Sequence, residues 1–217
     1  MDSRSSSPPP LILGVLGGVA SGKSAAAGFL AGEDGWTVSA DAIVHELLTD
    51  PELTEEVSAA FGTGVIGPDG RLDRARLAAL VFDPETGAEA RRALEGWTHP
   101  RVRARILGRV EEARSQGVPR VVLDVPLLLE TDADHGLASL CHVLVFVDVT
   151  DEIRDRRGQA LRGWPPGEVA RREAAQLPLQ EKRERADYVV TNEETLEELE
   201  AACHRVLAEI EARRAAP

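Results

Sequence analysis

Five short apolar runs divide the chain and predict strands. They cover residues 11–16, 36–38, 121–123, 142–149 and 188–190. Runs this short, with few polar interruptions, are typical of strands that are buried on both faces of a parallel sheet. Segments with helical spacing lie between the runs. The pattern therefore predicts an α/β fold with a five-stranded parallel sheet flanked by helices.

The longest helical stretch lies between the second and third runs. Ser39 and Asp50 are good N-caps for its first two helices, and Pro51 suits a first helical position. Further helices are predicted over residues 71–82, 84–97 and from His99-Pro100 to 116. Because a single crossover rarely needs so many residues, the stretch predicts a helical insertion at about residues 45–116.

The last helix carries an apolar stripe that predicts packing against the sheet. The stripe consists of Leu196, Leu199, Cys203, Val206, Leu207 and Ile210. Cys203 lies on this stripe, so we expect a packed thiol rather than a reactive one.

Residues 17–24 read GGVASGKS and match the phosphate-binding pattern G-x-x-x-x-G-K-[ST]. The motif follows the first strand and precedes a predicted helix, whose N-terminus adds a partial positive charge for an anion. Lys23, one of only two lysines in the chain, is predicted to reach the β- and γ-phosphates of a nucleotide. Ser24 is predicted to hold Mg²⁺.

Two acidic residues follow the second and third strands. Asp41 and Asp124 lie where parallel strands end, which is where α/β sheets bind ligands. Either carboxylate is suited to accept a hydroxyl proton or to hold water around Mg²⁺. The alternatives remain open: Asp41 also suits the first turn of a helix, and Asp124 a turn.

Charge and composition restrict the partners. The formal net charge of -12 argues against nucleic acid and anionic membranes. Two cysteines form no disulfide framework, which favours a reducing cytoplasm.

Residues 1–10 are rich in Ser and Pro and predict a disordered tail. Residues 11–20 resemble a signal peptide, but the preceding side chains carry no positive excess, and cleavage after Ala20 would cut the phosphate-binding motif.

Taken together, the motifs resemble those of the dephospho-CoA kinase family. The matching segments are LGGVASGKS (16–24), ADAIVHEL (40–47), RLDR (71–74) with Leu77 and Phe82, HPRVR (99–103), PLLLE (126–130), AQ (175–176), EKR (181–183) and ADYVV (186–190). The resemblance implies a P-loop nucleoside triphosphate hydrolase fold over residues 11–217, with a helical substrate-binding insertion and a helical lid at about 151–185. It also implies that ATP, with Mg²⁺, phosphorylates the ribose 3′-hydroxyl of dephospho-CoA.

The same resemblance implies roles for individual residues. Asp41 would be the catalytic base, acting with Lys23. ATP-binding residues would be Gly17, Gly18, Val19, Ala20, Ser21, Gly22, Lys23, Ser24, Ala25, Arg162 and Asn192. Substrate-binding residues would be Arg74, His99, Arg103 and Glu130. Magnesium would be held by Ser24, with Asp41 or Asp124 acting through water.

Some positions depart from the family pattern. Ser39 stands where the family usually has an Asp, and Ala20 replaces a glycine of the phosphate-binding motif although alanine tolerates positive φ poorly. Ala25 replaces a Thr. In the lid, Gly158 stands where an arginine is expected, with Arg157 beside it.

Two other function classes compete with this interpretation. A P-loop kinase of a small acceptor, such as shikimate or gluconate, would need a smaller acceptor-binding region than the long helical insertion provides. A nucleotide-dependent switch protein would need guanine and switch signatures. The D-x-x-G-Q at residues 155–159 follows polar residues rather than a strand, so we interpret it as chance. We expect no obligatory protein partner.

Overall fold

A computed structural model describes residues 8–83, 86–132 and 136–215. Its five strands are β1 (Leu11–Gly17), β2 (Trp36–Ser39), β3 (Arg120–Asp124), β4 (Val143–Asp148) and β5 (Tyr188–Thr191). They form one sheet in the order β2-β3-β1-β4-β5, and every neighbouring pair is parallel. The predicted five-stranded parallel sheet is thus confirmed, with the fully buried β1 at its centre.

The α-helices of the described residues lie in the segments that connect the strands and after the last strand. They are α1 (Lys23–Ala31), α2 (Ala40–Leu47), α3 (Pro51–Phe61), α4 (Arg74–Val81), α5 (Gly87–Ser115), α6 (Asp151–Arg162), α7 (Glu168–Glu173), α8 (Leu179–Glu184) and α9 (Leu196–Ala215). Among these residues, no helix is both long enough and apolar enough to cross a membrane.

The chain divides into two compact units. The first unit contains the sheet and consists of the residues up to Ser39 and those from Arg109 onward. The second is the segment Ala40–Gly108.

In the first unit, α1 and α9 contribute to a single apolar core with the sheet. Ala27 and Leu30 of α1 pack in the same buried cluster as Val145 of β4 and Leu199 and Cys203 of α9. Cys203 is fully buried, as predicted for a packed thiol. The predicted stripe is wrong at its first member: Leu196 is 59% exposed, because the helix begins there, before it turns its apolar face onto the sheet.

The second unit is helical and has its own apolar contacts. Phe61 and Trp97 meet edge to face with ring centroids 5.6 Å apart. Asp50 caps α3 as predicted, accepting a hydrogen bond from the Glu52 N–H. The helix predicted from residue 71 begins instead at Arg74, because Asp73 caps that position.

The predicted break between two helices at residues 97–99 is wrong. One helix of 29 residues, α5, runs through Pro100. Proline removes one backbone donor, but its φ is compatible with a helix. The Arg101 side chain donates 3.0 Å to the Trp97 carbonyl in the same turn, and buried Val102 and Ile106 follow. The start of the predicted helix at 84–85 lies outside the described residues.

We expect both thiols to be unreactive in the folded chain. Burial raises the pKa of Cys141 to about 12 and that of Cys203 to about 11, and nearby carboxylates add to both shifts. Since the thiolate is the reactive form, iodoacetamide at pH 8 should leave the native protein unlabelled and should label both cysteines in denaturant. Rapid labelling of the native chain, detected by mass, would contradict this expectation.

Candidate active site

The phosphate-binding motif forms a loop between β1 and α1, as predicted. Gly17, the last residue of β1, has a φ of 150°, and a Cβ there would lie 2.8 Å from Ser21 Oγ and 2.9 Å from the Val147 carbonyl. Gly22, immediately before α1, has a left-handed φ of 90°. These two positions need glycine for conformation and space, so the backbone curves tightly before the helix.

Ala20 adopts the left-handed conformation that alanine tolerates poorly, with a φ of 59°. Such a conformation costs an L-residue about 1–2 kcal/mol, part of which glycine's greater chain entropy would offset. Ala20→Gly should therefore raise the free energy of unfolding by about 1 kcal/mol, measured by denaturant titration.

Ala25→Gly is the matched control for this prediction. Ala25 is the third residue of α1, where glycine is a weaker helix former by about 1 kcal/mol. The two substitutions should therefore shift stability in opposite directions. Equal destabilisation by both would remove the argument for strain at Ala20.

Lys23 is held across the mouth of the loop. Its Nζ donates to the carbonyl of Gly17 at 3.1 Å and to that of Gly18 at 2.8 Å. Burial, followed by the charge of Lys182, lowers its pKa to about 8, while Asp124 and Glu173 act in the opposite direction. The ammonium is thus poorly solvated and ready to take an anionic partner.

The lowered pKa of Lys23 predicts a pH dependence of ATP binding. Phosphates stabilise the ammonium, so bound ATP raises its pKa from about 8. Below pH 8 the lysine is already charged; above pH 8 binding must take up a proton, and affinity should decrease with rising pH. Calorimetry at pH 9 in two buffers of different ionisation enthalpy should detect this uptake in the wild type and not in Lys23→Met. Equal proton uptake by both would refute the prediction.

Oxygen ligands for a divalent cation lie near this lysine. Asp124 ends β3, is 7% exposed, and is close enough to act on the pKa of Lys23. Ser24 lies exposed in the first turn of α1. The described residues contain no group of three or more His, Cys, Asp or Glu side chains that could hold a metal. A hydroxyl and one carboxylate suit Mg²⁺, which keeps several waters and binds mainly through substrate phosphates.

A cavity of about 440 Å³ opens beside the loop. It is lined by Ala20, Gly22, Ala25, Arg157, Leu161, Arg162, Asn192, Glu194 and Leu196. Five predicted ATP-binding residues are among them. Leu161 and Leu196 were missed, although each is a large apolar side chain that is more than half exposed. Their exposed apolar surface next to a phosphate loop suits a nucleotide base.

Asn192 connects β5 to the loop. Its Nδ2 donates 2.8 Å to the Ser21 carbonyl, and its Oδ1 accepts from Arg157 at 3.3 Å. Because the side chain is buried and bonded at both ends, it braces the loop, and the backbone N–H of Asn192 donates to the Asp148 carbonyl at 3.0 Å.

Arg162, the last residue of α6, stacks on an aromatic ring. Its guanidinium is 4.8 Å from the centre of the Trp164 ring, and Arg172 is 4.3 Å from the same ring. Arg162 also lowers the pKa of Lys23, which places its charge near the loop. Trp164 therefore holds the guanidinium groups of both arginines, a contact that the sequence did not indicate.

Glu130 forms a buried ion pair. Its Oε1 lies 2.7 Å from Nζ of Lys182 and accepts from the Leu177 N–H at 3.2 Å. Lys182, only 2% exposed, also donates to Gln176 at 2.9 Å. This cluster connects the segment after β3 to α8 and the residues just before it. Sequence reasoning missed the pairing, although Lys182 is the second of only two lysines.

The remaining predicted residues belong to the second unit. Asp41 is exposed in the first turn of α2, two positions after β2 ends. Arg74 is the first residue of α4. His99 and Arg103 are four positions apart on α5, so their side chains project from the same helix face.

The parallel sheet and the glycine-rich loop at the end of β1 are those of the P-loop nucleoside triphosphate hydrolase fold. A shikimate kinase structure from Acinetobacter baumannii shares the fold at a TM-score of 0.53 and 13% identity, covering 99% of this chain and all of that one.

Comparison with known proteins then identifies the family. The sequence model of the family described as dephospho-CoA kinase matches residues 11–198 of this chain. A dephospho-CoA kinase from Symbiobacterium thermophilum is 42% identical over 88% of this chain and 77% of the relative. A dephospho-CoA kinase from Corynebacterium glutamicum is 39% identical over 94% of this chain and 98% of the relative. A crystal structure of a protein from Thermus thermophilus is 38% identical in sequence and has a TM-score of 0.73. The match covers 94% of this chain and 99% of that one. The chain belongs to the dephospho-CoA kinase family.

Proposed function

We propose that this protein transfers the γ-phosphoryl group of ATP to the ribose 3′-hydroxyl of dephospho-CoA, giving coenzyme A and ADP. The observation that carries the proposal is the family match over residues 11–198. The phosphate loop, Lys23 and the cavity of about 440 Å³ beside them support the nucleotide half of the reaction.

On the nucleotide side, the protein mainly positions phosphates and stabilises their charge. Phosphoryl transfer has a loose transition state whose charge is spread over the phosphate oxygens, so fixed donors contribute most of the catalysis. The loop amides between Gly17 and Ala25 bind the phosphates, and Lys23 leaves the loop carbonyls to pair with the β- and γ-oxygens. Arg162, stacked on Trp164, adds a lid cation.

On the acceptor side, Asp41 accepts the proton of the 3′-hydroxyl. The carboxylate is exposed at the start of α2, and its solvent access suits a group that meets a substrate hydroxyl. Arg74, His99 and Arg103 bind the CoA portion, whose phosphates suit cationic side chains. Glu130 contributes to substrate binding by holding its segment through Lys182.

Ser24 and Asp124 of the first unit fit Mg²⁺ and would hold it, Ser24 directly and Asp124 through water, with Asp41 as the alternative acid. When bound, it neutralises charge on the β- and γ-phosphates. We further expect small-molecule substrates only, no obligatory protein partner, and a cytoplasmic location.

The test is an ADP-release assay with ATP and Mg²⁺ and a panel of dephospho-CoA, shikimate and gluconate. Turnover should depend on dephospho-CoA, and the product should carry the new phosphate at the 3′-position by NMR. Turnover with shikimate or gluconate alone would replace the proposal with a small-acceptor kinase. Substrate-independent hydrolysis of GTP would favour a switch protein.

A further inference from the structure

A carboxylate from the lid segment lies in the phosphate loop. Oε1 of Glu173, the last residue of α7, accepts a hydrogen bond from the Val19 N–H at 2.8 Å. The approach is close, since a Cβ added to Gly18 would lie 2.5 Å from the same oxygen. The charge of Glu173 also acts on Lys23 and favours its protonated form. An intramolecular anion thus occupies one backbone donor of the loop, next to the cations Lys23 and Arg154, where a phosphate would also be stabilised.

Arg154 of α6 holds this carboxylate in place. Its side chain is 2% exposed and forms an ion pair through Nη1 with Glu173 Oε1. The same Nη1 lies 3.4 Å from the Val19 carbonyl, and Nη2 lies 2.5 Å from Asp151 Oδ1. Within the part of the chain that the structure describes, Nε of Arg154 is buried without a hydrogen-bond partner.

A phosphate in the loop would compete with Glu173 for the same groups. The Val19 N–H cannot serve both anions, and a carboxylate beside phosphate oxygens would be repelled. Arg154 would keep only the exposed Asp151 once Glu173 leaves, and a buried guanidinium that loses its less exposed anion is destabilised unless another anion takes that place. Phosphate is the replacement that matches arginine best, because its oxygens accept the planar N–H donors in pairs.

We propose that Arg154 is a phosphate-contacting residue of this kinase, and that Glu173 stands in for the phosphate until ATP displaces it. The inference rests on the proposed function, because it requires ATP in the loop. On this proposal, ATP binding exchanges one anion for another. Glu173 leaves the Val19 N–H and the Arg154 guanidinium, and a phosphate of ATP binds both groups instead.

The first test compares Glu173→Gln with Glu168→Gln by calorimetric titration of ATP. Both substitutions remove one negative charge from α7, but Glu168 pairs with Arg171 and Arg172 on its own helix. Glu173→Gln should bind ATP about tenfold more tightly than wild type, since the competing anion is gone, and Glu168→Gln should match wild type. A wild type that binds no ATP would refute the proposed function. Normal wild-type binding with no gain in Glu173→Gln would overturn this inference alone.

The second test adds Arg154→Gln to Glu173→Gln, which removes the buried pair as a unit; the carboxylate of Asp151, which also pairs with Arg154, is 90% exposed and stays solvated without it. The double variant should melt within a few degrees of wild type. If Arg154 contacts phosphate, the double variant should bind ATP at least tenfold more weakly than Glu173→Gln and should have a lower kcat. A double variant that equals Glu173→Gln in both quantities would show that Arg154 only connects α6 and α7, and would overturn its assignment.

Discussion

Lys23→Ala is expected to reduce kcat by roughly 10³-fold or more, because it removes the ammonium that compensates charge on the transferred phosphate. The fold should persist: in the free chain Nζ contacts only the carbonyls of Gly17 and Gly18 among its hydrogen-bond acceptors in the described residues. Loss of a poorly solvated cation is not expected to lower the melting temperature.

The measurement is steady-state kinetics with dephospho-CoA beside a melting curve. Lys23→Arg is the informative companion, since arginine keeps the charge but its larger planar head group does not fit the place of an ammonium between two carbonyls. It should also lose most activity. Near-normal kcat in Lys23→Ala would show that the loop does not bind the reacting phosphates.

Asp41→Asn is expected to lower kcat roughly 10²- to 10⁴-fold, because asparagine cannot accept the ribose proton. If Asp41 were only a first-turn acid, turnover would hardly change, and stability would shift by at most about 1 kcal/mol from the lost interaction with the helix dipole. ATP affinity should remain close to wild type, since the loop amides and Lys23 are unchanged.

Glu46→Gln on the same helix is the matched control for Asp41→Asn. Glu46 is exposed on α2, and its replacement removes the same charge at the other end of the helix. It should leave kcat unchanged. A decrease of less than about tenfold in Asp41→Asn, with normal ATP binding and melting, would move the role of base to Asp124.

Local patterns were sufficient for most of the fold. Each strand was predicted within two residues of its ends. Burial on both faces explains the apolar runs of β1 and β3, whereas the edge strands β2 and β5 are only partly buried. Asp50-Pro51 predicted a helix start correctly, since a cap is a contact between neighbours in sequence. The prediction failed at Pro100, where the helix continues although one backbone donor is missing; buried Val102 and Ile106 after the proline anchor it through tertiary packing.

The candidate site was predictable where chemistry depends on a short motif. Gly17, Gly22 and Lys23 lie at fixed spacing, because a loop that curves around phosphate needs those residue types in that order. Leu161 and Leu196 were not predicted as cavity residues. Leu161 belongs to no apolar pattern, and the helical spacing of Leu196 favoured the core instead.

By itself the sequence determined the sheet, the loop that follows β1 and the kinase family, because each depends on residues close together in the chain or on ordered motifs. Only the tertiary structure decided which charges meet in that loop. Val19 and Glu173 are 154 positions apart, and Glu130 pairs with Lys182 across another long separation. In a chain with 25 basic and 37 acidic residues, many pairings are compatible with the same sequence pattern. Folding selects one of them by burying particular side chains, because a buried charge is stable only beside its partner.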